Sequence, residues 1–181
     1  MDNVDKHHNL GNVYLVGLMG AGKTTVGRLL AKKLGREFVD SDREIEARTG
    51  VTIPTIFEIE GEDGFRKREA QVIADLAQSS GKIIATGGGA VLRVENRANL
   101  KASGFVVYLN VPPHTLLERT RHDRNRPLLQ VADPLQKLKD LFLQRDPFYR
   151  EVADLIIDGG RVSAQGILQL LTKELGEFWT R

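Results

Sequence analysis

Apolar and polar positions divide this chain into short apolar runs that alternate with amphipathic stretches. Asn12-Val13-Tyr14-Leu15-Val16 is the first such run and predicts a buried strand. Val26, Leu29, Leu30 and Leu34 then recur at helical spacing, and Gly35 stands where that helix would stop. Glu37-Phe38-Val39-Asp40 predicts a second strand, and residues 41–49 a helix that ends at Gly50. Phe65, Glu69, Val72, Ile73 and Leu76 share one helical face and predict a longer helix that closes near Gly81. Lys82-Ile83-Ile84-Ala85-Thr86 is a third strand that runs into Gly87-Gly88-Gly89. Phe105-Val106-Val107-Tyr108-Leu109 is a fourth. Pro112 and Pro113 follow it at a helix start, where a missing N–H costs nothing. Residues 134–149 predict a helix interrupted near Pro147, and Asp154-Leu155-Ile156-Ile157 a fifth strand. Ser163 is placed to cap a last helix with Ile167, Leu168, Leu171 and Leu175 facing inward.

Strands that are apolar throughout and separated by helices predict an α/β protein. The expected form is three-layer α/β/α, a five-stranded parallel sheet covered on both faces. Ligands of such sheets bind outside the carboxyl ends of the strands. Residues 121–133 break the regularity: they are polar, basic and interrupted by Pro127, and are expected to form a mobile lid. No repeat or low-complexity linker divides the chain, so residues 1–181 are expected to form one domain with a flexible start over about residues 1–11.

Composition narrows the partners. Lys and Arg total 26 against 24 Asp and Glu, a formal charge of +2, too balanced for a general nucleic-acid binder. No apolar run approaches the roughly 20 residues that span a bilayer, so no membrane partner is expected. The first residues carry no apolar signal core, and there is no cysteine for disulfide or thiolate chemistry. A cytoplasmic protein is expected.

Gly17-Leu18-Met19-Gly20-Ala21-Gly22-Lys23-Thr24 fits G-x-x-x-x-G-K-[ST] at every fixed position. It follows an apolar strand and opens an amphipathic helix, as the mechanism requires. Glycines let backbone N–H groups converge on a polyphosphate, and the helix start adds its positive end. Lys23 can reach the β- and γ-phosphates, and the Thr24 hydroxyl can ligate Mg²⁺. A plain glycine-rich turn would not explain Lys-Thr at the helix start.

The phosphate loop does not name the acceptor. Asp40-Ser41-Asp42 lies at the carboxyl end of the second strand. Its carboxylates can accept hydrogen bonds from substrate hydroxyls or hold a metal-bound water. Ser41-Asp42-Arg43-Glu44 also fits a capping box, which one serine would satisfy. Arg66 points away from the apolar face that Phe65 joins, and its plainer reading is a solvated charge. Gly87-Gly88-Gly89 is either a flexible turn or a set of backbone donors close to a ligand.

Six blocks in fixed order carry a specific resemblance: G-L-M-G-A-G-K-T-T-V-G-R, F-V-D-S-D, I-F-E-I-E-G-E-D-G-F-R, A-T-G-G-G-A-V, R-P-L-L and R-D-P-F-Y. The chain resembles the shikimate kinases, members of the nucleoside-monophosphate-kinase-like group of phosphate-loop kinases. The blocks lie within residues 12–157. The resemblance implies phosphoryl transfer from ATP to the 3-hydroxyl of shikimate, with Mg²⁺, in aromatic amino-acid synthesis. It implies that Gly20, Ala21, Gly22, Lys23, Thr24, Thr25, Arg119 and Arg126 bind ATP, and that residues 41–80 form a substrate-binding region. By the family pattern Asp42 holds the shikimate hydroxyls, Arg66 and Arg145 grip its carboxylate, and Gly87, Gly88 and Gly89 contact it through backbone. Arg126 would come from the lid to the phosphates, and Asp40 would orient the metal through water. Adenine contacts would lie near Arg161 and Val162. A monomer is expected.

The chemistry agrees with that assignment. Two planar guanidinium forks suit a carboxylate, and an aspartate suits adjacent hydroxyls. Lys23, Asp42 and Arg126 are the expected catalytic residues: two cations to neutralise the transferred group and a carboxylate to polarise the hydroxyl. Arg121, His122 and Arg124 read as surface charges of the lid, and His7 with His8 as terminal residues without a third metal ligand. Met19 is expected to pack within the loop, and Trp179 either to anchor the last helix or to stand exposed. The rivals are another small-molecule kinase of the same fold, gluconate-kinase-like or acting on nucleoside monophosphates, and a non-catalytic module that binds shikimate or ATP.

Overall fold

The computed structural model describes residues 11–179, with side chains through residue 176. The expectations for most of the flexible start, for His7 and His8 and for the Trp179 side chain lie outside the described residues. Strand β1, Asn12–Val16, is buried along its whole length and forms the middle of the sheet. It pairs in parallel with β3, Ile83–Ala85, on one side and with β4, Gly104–Asn110, on the other. β2, Phe38–Asp40, and β5, Leu155–Asp158, complete the order β2-β3-β1-β4-β5. In that register Leu15 sits between Ala85 and Val107, so the ends of β1 and β3 open onto one crevice. The chain leaves β1 towards one side of the sheet and leaves β3 towards the other. Such a reversal of strand order is where α/β sheets hold ligands.

Helices cover the sheet as expected. α1, Lys23–Leu34, packs on α7, Ala164–Trp179. α3 (Ile53–Leu76), α4 (Val94–Ser103) and α6 (Pro134–Val152) form a second contiguous set. α2, Ser41–Thr49, joins α3, and α5, Pro113–Thr120, joins α6. Val13, Leu15, Val16, Ile83, Val107 and Leu109 are almost wholly withdrawn from solvent and form the centre of the core. Among the described residues, no helix is long and apolar enough to cross a membrane.

Four local expectations are corrected. α2 is capped by Asp40, whose carboxylate accepts from the N–H groups of Asp42 (3.0 Å) and Arg43 (3.3 Å), and not by Ser41. Ser41 is the first helical residue and is fully buried. α6 continues through Pro147 rather than breaking there. A helical proline forfeits one hydrogen bond, here to the carbonyl of Leu143. Leu143 is 74% exposed, so water can serve that carbonyl, while buried Arg145 and Tyr149 hold the turn in place. α4 has no counterpart in the apolar pattern, because only Asn96 and Leu100 of its ten residues are buried. α3 begins at Ile53, earlier than the pattern suggests, and bends at Gly61 (φ 71°, ψ −177°), a conformation essentially reserved for glycine. Ser163 behaves as expected: its hydroxyl accepts from the Gly166 N–H at 3.1 Å. Within residues 121–133, the ordered element is one 3₁₀ turn, Pro127–Leu129, packed on α3 and α6 through buried Leu129.

Candidate active site

The loop after β1 takes its shape from its glycines. Gly17, Gly20 and Gly22 have φ of 146°, 83° and 99°, and a Cβ on Gly17 would lie 2.7 Å from the Leu109 carbonyl oxygen. Gly22 precedes α1 and offers no side-chain cap, so the first N–H groups of α1 are left for a ligand. Lys23 folds back over the loop and donates to the carbonyls of Gly17 (2.6 Å) and Leu18 (2.9 Å). Its ammonium is buried, and burial, with Arg126 nearby, lowers its pKa to about 7. Arg119 donates to the carbonyls of Gly20 and Ala21, both at 3.2 Å, and braces the loop from outside.

Thr24 Oγ1 donates to Asp40 Oδ2 at 2.8 Å. The two groups supply a hydroxyl and a carboxylate at one spot, hard oxygen donors of the kind Mg²⁺ accepts. Among the described residues, no group of three His, Cys, Asp or Glu side chains forms a cage for a metal. Mg²⁺ needs none, since it is usually held by one or two protein oxygens together with phosphates and waters.

Two connected spaces meet over the sheet edge. The outer cleft, about 360 Å³, is lined by residues 20–26, Asp40, Arg119 and Val162. Arg161 does not line it and faces a separate groove with Pro112 and Phe142. The inner cavity is narrow, about 50 Å³, and is lined by Asp42, Arg66, Gly87, Gly88, Gly89 and Arg145. Every residue expected on the acceptor side therefore borders one space. Met19, Phe57, Phe65 and Glu69 join them, and Asn125, Arg126, Pro127 and Leu128 of the lid segment close the cavity. Asp42, Gly87, Gly88 and Arg126 line both spaces.

Several polar atoms bordering the inner cavity have no partner. Arg145 is only 2% exposed, and its Nε and Nη1 have no partner among the described residues. Arg66 is buried rather than solvated. Its guanidinium lies 5.1 Å from the Phe65 ring centroid and is paired with Glu69 at 3.0 Å and Glu62 at 3.2 Å. Asp42 Oδ1 and Glu69 Oε2 are buried without a donor. Burial, and then the neighbouring Asp40, push the Asp42 carboxyl above the usual range. Burial raises Glu69 to about 7 against the pull of Arg66. Arg66 Nε is likewise unpartnered; a buried polar group without a partner costs roughly 1–3 kcal/mol, so five such atoms around one cavity describe a ligand that completes them. The glycines leave room for it. A Cβ on Gly87 would lie 2.6 Å from Asp42 Oδ1 and 2.8 Å from Glu69 Oε2, and one on Gly89 would collide with the Arg66 guanidinium.

Residues 19–175 match the family model described as shikimate kinase. The chain belongs to the shikimate kinase family. The shikimate kinase of Dechloromonas aromatica (strain RCB) is 63% identical over 167 residues, covering 92% of this chain and 91% of that protein. The structure of a shikimate kinase from Acinetobacter baumannii in complex with shikimate has 55% identity and a TM-score of 0.90. It covers 93% of this chain and 94% of that one. A gluconokinase from Sinorhizobium meliloti 1021 aligns with a TM-score of 0.57 at 17% identity, covering 94% of both chains, and shares the fold alone. The family's five-stranded parallel sheet and phosphate loop are thus present, and the chain is an ATP-dependent kinase by family.

Sequence reasoning missed three residues at this shikimate kinase site. Glu69 was placed only on an apolar helix face, and a carboxylate on such a face is itself a signal, because its burial is costly without a task. Ser41 was read as a cap, yet its Oγ accepts the Gly87 N–H at 3.0 Å. Tyr149 carried no signal beyond its place in R-D-P-F-Y; its hydroxyl donates to the Gly88 carbonyl. Arg121, His122 and Arg124 are exposed, and Met19 is buried, as expected.

Proposed function

We propose that this chain transfers the γ-phosphoryl group of ATP to the 3-hydroxyl of shikimate, giving shikimate 3-phosphate and ADP. The observation that carries the reading is the inner cavity. Arg145, with two unclaimed nitrogens, and Arg66 border it together with the donor-free Asp42 oxygen. That arrangement calls for a small ligand with a carboxylate and several hydroxyls, held beside a phosphate loop. ATP would lie along the outer cleft with its phosphates against residues 20–25, Arg119 and Lys23. Thr24 Oγ1, with Asp40 acting through water, would hold Mg²⁺, whose charge offsets that of the β- and γ-phosphates when bound. Asp42 Oδ1 would take the proton of the attacking hydroxyl as the new O–P bond forms and the γ-phosphorus separates from the oxygen retained by ADP. Lys23 and Arg126 would face the charge that spreads over the transferred group.

A moving lid supports admission of the acceptor. The inner cavity is far smaller than the roughly 300–1,000 Å³ of typical ligand pockets, and residues 125–128 close it. Withdrawal of that segment would open the site, and its return would exclude water. We place the enzyme in the cytoplasm as a monomer.

Binding of ATP should be coupled to a proton. Phosphate oxygens beside Lys23 would raise its pKa from about 7, so at pH 8 the lysine must gain a proton as ATP binds. Well below pH 7, near pH 5, it is already charged and little uptake follows. ATP affinity should therefore fall as pH rises from 7 to 9. Titration calorimetry at pH 8 in two buffers of different ionisation enthalpy should show net uptake; equal heats in both buffers would contradict it.

The acceptor is tested by ADP release across shikimate, quinate, gluconate and nucleoside monophosphates. Shikimate should be the preferred acceptor. Activity confined to another acceptor, or binding of shikimate and ATP without ADP release, would refute the reading.

A further inference from the structure

We propose that Tyr149 is a positioning residue for the acceptor: its hydroxyl fixes the Gly88 carbonyl, and with it the Gly89 N–H, beside the Arg145 guanidinium. The inference rests on the acceptor site proposed above and adds to it a residue that does not line the cavity.

Arg145 and Tyr149 lie four residues apart on α6, on one helix face, and both are buried. The Tyr149 ring packs on Tyr108 with centroids 4.9 Å apart, which accounts for the ring but not for its hydroxyl. A buried hydroxyl is costly unless it is bonded, and this one donates across the fold to the Gly88 carbonyl. The Arg145 guanidinium is near enough to that hydroxyl for each group to influence the other's ionisation. Burial holds the phenol above its ordinary pKa, so it stays a neutral donor across the physiological range.

The glycine triplet shows what this bond controls. The Gly87 carbonyl accepts from the Ala90 N–H at 3.0 Å, and the Gly89 carbonyl from the Leu92 N–H at 3.1 Å. The Gly87 N–H is taken by Ser41 Oγ at 3.0 Å. Tyr149 takes the remaining carbonyl. The N–H groups of Gly88 and Gly89 have no hydrogen bond among the described residues, and both glycines line the inner cavity. Fixing the Gly88 carbonyl fixes the peptide plane that carries the Gly89 N–H, because a trans peptide sets the two groups antiparallel. A Cβ on Gly88 would lie 3.3 Å from Arg145 Nη1, so the free edge of the guanidinium stands next to these donors. One hydroxyl thus sets the Gly89 N–H beside a cation that would meet the same ligand.

Steady-state kinetics of Tyr149→Phe test this. The variant keeps the ring and loses the bond. The KM for shikimate should rise about tenfold, with a smaller change in kcat and an unchanged KM for ATP. Tyr108→Phe is the control: its hydroxyl donates to Asp146 at 2.8 Å, away from the cavity, and its removal should leave the shikimate KM unchanged. Arg145→Lys combined with Tyr149→Phe should cost less than the sum of the two, since both act on the same end of the acceptor. An unchanged shikimate KM in Tyr149→Phe would overturn the proposal, as would equal rises for shikimate and ATP, the same rise in Tyr108→Phe, or failure of Tyr149→Phe to fold. If the wild-type protein does not phosphorylate shikimate at all, the functional reading fails first, before the variants are compared.

Discussion

Replacing Arg126 by alanine is expected to lower kcat about 10³-fold, with shikimate affinity held within a few-fold. Arg126 lines both spaces, so it stands where the nucleotide and the acceptor would meet. Its Nε pairs with Asp123 Oδ2 at 3.0 Å, and the two side chains are 37% and 33% exposed. An ion pair that open to solvent contributes little to stability, so the arginine can leave Asp123 for a phosphate at small cost. The carboxylate end of the acceptor would be held elsewhere, by buried Arg66 and Arg145, which is why binding should survive. Arg126→Lys should recover part of the rate, because it restores the charge without the bidentate fork. Steady-state turnover combined with calorimetric shikimate binding decides the matter. Near-wild-type turnover in Arg126→Ala would remove the residue from the catalytic machinery.

Asp42→Asn is the second large effect. Asparagine keeps the size and one acceptor oxygen but cannot take a proton, so kcat should fall on the order of 10²-fold and the KM for shikimate should rise. Stability should hold or improve. The buried Asp42 carboxyl is disfavoured by burial and by Asp40, and the amide carries no charge. The cap of α2 depends on the Asp40 side chain, so the helix start remains intact. Kinetics and a melting curve on one preparation separate the outcomes: wild-type kinetics would exclude a role in transfer, and a large loss of melting temperature would make Asp42 structural.

How much was legible depended on whether a residue's task left a mark on its neighbours in the chain. β1 and the phosphate loop were readable because continuous apolar residues followed by glycines and Lys-Thr have few other uses. Strand ends moved by a residue or so, since hydrogen bonding to a neighbouring strand, and not local preference, decides them. α4 was missed because a helix that covers only one corner of the sheet needs few apolar positions. Asp40 took the cap that Ser41 was expected to supply: both residue types cap helices well, and Ser41 Oγ is instead occupied by the buried Gly87 N–H. Arg66 looked like a surface charge because its partners Glu62 and Glu69 also occur on solvated helices. The irregularity of residues 121–133 was visible in the sequence, but the cavity that residues 125–128 border is a long-range contact that no local pattern names. The bond from Tyr149 to Gly88 joins residues 61 apart, a separation across which no local pattern carries information.

Asp42, Gly87, Gly88 and Arg126 form a common wall between the two spaces, and a common wall has a thermodynamic consequence. If ATP alters the affinity for the acceptor by some factor, the acceptor must alter the affinity for ATP by the same factor. Changes to the common wall should therefore move that factor in both directions at once. Changes confined to one space, at Arg145 or Val162, should shift one affinity and leave the reciprocity between the two substrates as it was.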